Sequence, residues 1–220
     1  MDTQLLNLFI ERYTFENYIK IRNETVVAIL QDVNAQFIHL TAIRYLGKTH
    51  LLNAWINNAH KQHKSAIYIN INNPTHQNLQ QLTDKFSYIA IDNIDNADFN
   101  TQEQLFNLFN RIKLNNLHNK LLTSSTVTLD KLYNYRHDLI TRLLSGINLN
   151  IKALTDDELL EAINLYLLSE GIKIELHVQK YLINHLPRNI GRILQLINQA
   201  SHKALLEKRT ITTQLIKELI

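Results

Sequence analysis

Apolar residues in the first two thirds of the chain fall into short runs, separated by stretches with helical spacing. Val26-Val27-Ala28-Ile29-Leu30 lies in a periodic apolar stretch and predicts a helix. Phe37-Ile38-His39-Leu40 is a short, mostly apolar run and predicts a buried strand. After Ala42-Ile43-Arg44-Tyr45-Leu46-Gly47-Lys48-Thr49, the segment Leu51-Leu52-Asn53-Ala54-Trp55-Ile56 reads as a helix. Ala66-Ile67-Tyr68-Ile69, Tyr88-Ile89-Ala90-Ile91-Asp92 and Lys120-Leu121-Leu122-Thr123-Ser124-Ser125 predict three further strands, with Asn73-Pro74 breaking the first of these three. Leu105, Phe106, Leu108, Phe109 and Ile112 are spaced as on a helix over 102–114. Strands alternating with helices predict an α/β fold with a doubly wound parallel sheet.

Near Leu154 the pattern changes. Thr155-Asp156-Asp157-Glu158 has a hydroxyl followed three residues later by a carboxylate, the signature of a capping box. Helical spacing continues from there. Gly171 ends a first helix, a second runs from about 175 to 186 and stops at Pro187, a third spans about 190–206, and a last covers 212–219. The expected organisation is an N-terminal segment over 1–10, an α/β unit over 11–152 and an all-helical unit over 153–220.

Composition narrows the function classes. Hydrophobic residues make up 45% of the 220-residue chain and charged residues 20%, values of a soluble globular protein. There is no cysteine, which removes disulfides, thiolate chemistry and cysteine-based zinc sites. The start, Met1-Asp2-Thr3-Gln4, does not read as a signal peptide, and no apolar stretch approaches the ~20 residues of a membrane span, so a cytoplasmic location is expected. A net charge of +3 permits contact with nucleic acid or an acidic partner, and is far from the profile of a dedicated DNA-binding protein. The frequent asparagines (Asn70, Asn72, Asn73, Asn93, Asn96, Asn100) read first as compositional bias.

Several residues could carry chemistry. Gly47-Lys48-Thr49 follows a strand and opens a helix, where a phosphate loop belongs: backbone amides face an anion, Lys48 reaches terminal phosphates and Thr49 ligates magnesium. The full pattern places glycine where this chain has Ala42, and an ordinary strand-to-helix turn is the other reading. Asp92 ends an apolar strand, where a Walker B aspartate holds the magnesium shell; alternatively it caps the next element. Asn93 stands where a water-activating carboxylate is usual, and predicts slow intrinsic hydrolysis. Arg142 and Arg192 read from spacing as solvated arginines. His60 and His63 read as a solvated helix face rather than a metal chelate. Tyr133, Tyr135, Arg136 and His137 read as a mixed surface loop rather than a base-stacking platform. Gln4-Leu5-Leu6-Asn7-Leu8-Phe9 reads either as a peptide that seats in a partner's hydrophobic groove or as an amphipathic helix packed on its own domain.

Together these pieces resemble the DnaA family of AAA+ proteins over about 11–220. Tyr13-Thr-Phe-Glu-Asn-Tyr18 is similar to the family's Y-T-F-D-N-F, and Gly47-Lys-Thr-His-Leu-Leu52 matches its G-K-T-H-L-L. Tyr88 to Ile94 resembles its Walker B, and Asn189-Ile-Gly-Arg192 its sensor 2 stretch. Within the family, three features resemble the Hda branch of regulatory inactivators: Asn93 after Asp92, a Gln-Leu segment ahead of the module, and a chain reaching Ile220 without a helix-turn-helix domain.

The resemblance implies an AAA+ P-loop base with a helical lid. It implies that Gly47, Lys48, Thr49, His50, Asp92, Asn93 and Arg192 serve an ADP or ATP site, with Thr49 and Asp92 at Mg2+. It implies that Arg142 is an arginine finger acting in trans on ATP held by DnaA. It implies that Gln4, Leu5, Leu8 and Phe9 bind the DNA polymerase III sliding clamp. Self-association stays open, and no sequence-specific DNA binding or membrane contact is implied. Thr126-Val-Thr128 departs from the family's D-R-P-P after the fourth strand, and Asn7 departs from the hexapeptide form of the clamp motif. A DnaA-like adaptor, or a helicase-loader-type protein with a degenerate nucleotide site, is the alternative.

Overall fold

A computed structural model of the chain describes residues 13–32, 34–73, 78–115 and 117–220. The described residues divide into two compact units, the first reaching Lys152 and the second spanning Ala153–Ile220.

The first unit is built on a parallel five-stranded sheet in the order β2-β3-β4-β1-β5. Its strands are β1 (Phe37–Thr41), β2 (Ala66–Asn70), β3 (Tyr88–Asp92), β4 (Lys120–Ser125) and β5 (Ile147–Asn150). Helices α1 (Glu24–Gln31), α2 (Lys48–Lys61), α3 (Leu82–Lys85), α4 (Phe99–Leu114) and α5 (His137–Leu144) accompany them. Successive strand residues point to opposite faces, so one sheet feeds two cores. Leu40, Ala90 and Leu122 pack with Leu30, Leu52 and Trp55 from α1 and α2. Ile89, Ile91 and Leu121 pack with Leu108, Phe109 and Leu139 from α4 and α5. Phe109 stacks on Phe37 with ring centroids 4.1 Å apart.

The sequence pattern predicts four strands and the sheet has five. Ile147-Asn-Leu-Asn150 is a short edge strand whose residues are mostly exposed, so it lacks the apolar run of a buried strand. It joins β1 closely because residue 146 is glycine: a Cβ there would lie 2.8 Å from the Phe37 carbonyl oxygen. The first unit is closed at its end by Asn23, whose side-chain amide donates to the Lys152 carbonyl at 3.0 Å and accepts from the Lys152 N–H at 2.8 Å.

The second unit is all helical: α6 (Asp156–Glu170), α7 (Leu176–His185), α8 (Ile190–Leu206) and α9 (Thr213–Lys217). Its core gathers Leu159, Ile163, Val178, Leu182, Ile193 and Ile197. The expected capping box is present. Thr155 accepts from the Glu158 N–H at 3.3 Å, and the Glu158 carboxylate accepts from the Thr155 N–H at 2.7 Å. Gly171 ends α6 with φ 65°, a left-handed conformation that costs glycine little. Replacing Thr155 with alanine is expected to lower the unfolding free energy of this unit by about 1 kcal/mol, read as a lower urea midpoint. An unchanged midpoint would show that the box does not hold α6. Among the described residues no helix is long and apolar enough to cross a membrane.

Candidate nucleotide site

The C-terminal ends of the parallel strands gather the polar residues of the first unit. That edge is where open α/β sheets bind ligands. The loop from Ala42 to Gly47 leaves β1 and delivers the chain into α2. Gly47 has φ 86°, and a Cβ on it would meet the Tyr18 ring at 2.8 Å. Two constraints thus require glycine immediately before Lys48.

The loop departs from expectation at its other end. The phosphate-loop pattern has glycine where this chain has Ala42, which is buried and has no positive φ. Tyr45 adopts the left-handed conformation instead, with φ 69°, and the residue is 62% exposed. Such a conformation costs a bulky residue of order 1–3 kcal/mol. The Lys48 ammonium turns into the loop and donates to the Ala42 carbonyl at 2.6 Å and the Ile43 carbonyl at 3.1 Å. Burial lowers its pKa, and the charges of Asp92 and Asp95 oppose that shift.

Asp92 ends β3 with no exposure to solvent. Three hydroxyls donate to it. Thr49 reaches Oδ2 at 2.6 Å, Tyr68 reaches the same oxygen at 2.8 Å, and Ser124 reaches Oδ1 by a short hydrogen bond. A buried carboxylate is tolerated when hydrogen bonds satisfy its lone pairs. Burial and the Asp92 charge raise the pKa of Tyr68, so its hydroxyl stays a donor. Asp92 therefore meets Thr49 and Ser124 at the strand ends, and Asn93 rather than Asp92 stands at the cap position of the next helical turn.

Asn93 follows in the left-handed region, φ 61°, which asparagine tolerates better than most residues. Its N–H donates to Ser124 Oγ at 3.2 Å, and its side-chain amide donates to Asn70 Oδ1 at 3.1 Å. The amide is committed to the neighbouring strand end, and it has no basic lone pair for activating water.

The other candidates lie elsewhere. His50 points away from Asp92: its Nε2 pairs with the Thr14 carbonyl at 2.9 Å and its ring packs against Tyr13 and Tyr18. Burial lowers its pKa, against the Thr14 contact. Together with the Asn57 amide donating to the Tyr13 carbonyl at 2.7 Å, these contacts dock the Tyr13–Tyr18 segment on α2. Arg142 lies in the last turn of α5, between buried Leu139 and Leu143 and half-exposed itself. Among the described residues no hydrogen bond or ion pair occupies its guanidinium.

Arg192, in the second unit, opens α8; its N–H is accepted by Asn189 Oδ1 and its guanidinium donates to Gln195 at 3.2 Å. Gln4, Leu5, Leu8 and Phe9 lie outside the described residues. His60 and His63 are exposed, and among the described residues no cluster of three or more His, Asp or Glu could hold a metal.

Residues 133–136 are the surface loop expected of them, anchored through Tyr135. Tyr133 is 85% exposed, but the Tyr135 hydroxyl donates to the Ile94 carbonyl at 2.7 Å and accepts from the Ala97 N–H at 3.0 Å. Arg136 pairs with Asp138 at 2.8 Å, and His137 starts α5. Tyr68 and Ser124 escaped the reading of the sequence as site residues. The signal was there in part: three consecutive hydroxyl residues, Thr123 to Ser125, close a buried strand.

Comparison with known proteins places this geometry. Residues 156–220 match the family model described as Hda, lid domain. An uncharacterised protein of Haemophilus influenzae is 24% identical over 96% of this chain and 94% of its own length. Domain III of the Thermotoga maritima replication initiation protein DnaA superposes with a TM-score of 0.76 at 16% identity, covering 94% of this chain and 95% of that one. The replication initiator DnaA bound to AMPPCP and single-stranded DNA superposes with a TM-score of 0.72 at 22% identity, covering 86% of this chain; this chain spans 64% of the length of that one. The chain has the fold of the DnaA AAA+ domains, and its residues 156–220 match the Hda lid-domain model.

Proposed function

We propose that this protein is a regulator of the replication initiator DnaA: it binds the sliding clamp, holds an adenine nucleotide in its own P-loop and stimulates hydrolysis of ATP on DnaA through Arg142. The observation that carries the reading is an Hda lid domain on a DnaA-type base. The nucleotide part draws support from the DnaA structure named for bound AMPPCP. It draws further support from a donor set that fits magnesium: the Thr49 hydroxyl lies 2.6 Å from the Asp92 carboxylate, and magnesium takes hard oxygen ligands. In this reading Gly47 and Lys48 hold phosphates, Thr49 and Asp92 hold the metal shell, and Arg192 is the lid's arginine on the nucleotide. His50 braces α2 against Tyr13 and Tyr18, and Asn93 keeps intrinsic hydrolysis slow. ADP is the expected resident nucleotide.

The test is a reconstitution with ATP-bound DnaA and clamp loaded on DNA. Added protein should accelerate hydrolysis, and the acceleration should require clamp. Gln4→Ala, which removes the amide of the Gln4-Leu5…Leu8-Phe9 peptide, should abolish clamp dependence and clamp pull-down together. Equal pull-down by Gln4→Ala and wild type would sink the clamp assignment.

A second reading is an adaptor with a closed nucleotide site. Lys48 bonded to the carbonyls of its own loop, and Tyr45 in the left-handed region, favour it. Calorimetry with ADP separates the two, since tight binding contradicts a closed site.

A further inference from the structure

The Asp92 carboxylate is the end of a continuous hydrogen-bond chain. The Asn93 amide donates to Asn70 Oδ1 at 3.1 Å, the Asn70 amide approaches the Tyr68 hydroxyl at 3.5 Å, and Tyr68 donates to Asp92 Oδ2 at 2.8 Å. Thr49 ends on that same oxygen at 2.6 Å. The register explains the meeting. β2 and β3 pair in parallel with Asn70 opposite Asp92, and Tyr68 sits two residues earlier on the same face of β2.

This sharing of one oxygen has a consequence for metal binding. A threonine that ligates magnesium does so through an oxygen lone pair, so its hydroxyl proton can stay on Asp92. Ser124 holds Oδ1 and Tyr68 holds Oδ2 from within the sheet, and of the three donors only the Thr49 hydroxyl would also serve the metal. With both oxygens pinned the carboxylate plane cannot turn; with one pinned it can rotate about its terminal torsion, which is broad for aspartate. We infer that Tyr68 is a positioning residue of the magnesium–nucleotide site, holding the Asp92 carboxylate from the sheet in the orientation that receives the metal shell while the Thr49 hydroxyl oxygen ligates the metal. Tyr68 touches neither nucleotide nor reacting atoms. It acts through Asp92, as the hydrogen-bonding partners of metal ligands do. Asn93 and Asn70 anchor the tyrosine's end of the chain.

The inference rests on reading this as a nucleotide site, and the experiment separates the two. ADP affinity of the full chain is measured by calorimetry with magnesium and with EDTA, for wild type and Tyr68→Phe. Phenylalanine keeps the ring and removes only the hydroxyl. Wild type should gain affinity on adding magnesium. In Tyr68→Phe that gain should shrink by about tenfold, the lower end for loss of a ligand's partner, while affinity in EDTA stays at the wild-type value. The same magnesium-linked gain in both proteins would overturn the role of Tyr68 and leave the nucleotide site standing. Weakening by one factor in both buffers would also overturn it, because packing rather than carboxylate orientation would then be at fault. No ADP binding by wild type in either buffer would refute the nucleotide site, and the inference with it.

Discussion

On the proposed function, alanine at Arg142 is expected to lower stimulation of ATP hydrolysis on DnaA by at least roughly 10³-fold, the scale on which arginine fingers act. The same variant should keep its fold and its own nucleotide affinity. The asymmetry follows from where the residue sits. α5 holds to the base through Leu139 and Leu143, exposed at 1% and 6%, and Arg142 lies between them without contributing to that core. Its guanidinium holds no ion pair among the described residues, so truncation leaves no buried partner unsatisfied. A finger must present an unpaired, planar, permanently charged group to developing phosphate charge. Arg136, six residues earlier in the loop, cannot: it is spent on Asp138. Arg142→Lys separates charge from geometry, because lysine keeps the charge and loses the two-pronged donor, and it should recover only a small part of the activity. Wild-type stimulation by Arg142→Ala would remove the finger assignment while leaving the fold and the nucleotide site untouched.

A second large effect concerns acid. His39 lies in β1, opposite Thr123 of β4, and is buried. Its Nδ1 pairs with Thr123 Oγ1 at 2.8 Å and its Nε2 with Ser125 Oγ at 3.0 Å. The Ser125 hydroxyl proton is directed at the Val127 carbonyl, so Ser125 accepts from an Nε2–H, and Nδ1 accepts from Thr123. Burial favours the neutral imidazole, with its proton on Nε2. Protonation would require Thr123 to turn its hydroxyl toward the Ile38 carbonyl, 3.5 Å away. Burial depresses the His39 pKa from 6.5 to about 4, with the Asp95 charge opposing.

The unfolded chain therefore takes up this proton before the folded chain does. The stabilisation from His39 is fully present above about pH 6.5. It is lost progressively as pH falls toward about 4, where the accumulated loss is about 3 kcal/mol. Urea midpoints between pH 7.5 and pH 4 should fall steeply for wild type and less steeply for His39→Gln. Parallel losses in the two proteins would assign the acid sensitivity to other groups.

Most of the architecture could be read from the chain because its signals are local. β1, β3 and β4 are largely buried on both faces of a parallel sheet, and β1 and β3 appear as near-continuous apolar runs, while β2 is a half-buried edge strand marked by Ala66, Ile67 and Ile69. The helical unit announces its first helix with Thr155 and Glu158 and ends it with Gly171. β5 and α5 left weaker traces. β5 is an edge strand with alternating asparagines, and asparagine is a poor strand former. α5 is eight residues long, has no side-chain cap and buries only Leu139 and Leu143.

The site divides along the same line. Gly47, Lys48 and Thr49 are contiguous at a strand-to-helix turn, so their pattern alone names the chemistry to look for. Asp92 closing an apolar strand was legible as a candidate, but its pairing with Thr49 spans 43 residues of sequence and depends on the sheet's order. Tyr68, Ser124 and His39 looked like ordinary members of strands. They became a carboxylate clamp and an acid-labile joint only when β2, β4 and β1 came to lie beside their partners in one register. Apolar periodicity and caps act between residues a few positions apart, so the chain states them directly. Which oxygen a hydroxyl reaches depends on register across strands, and that is settled by packing the whole sheet.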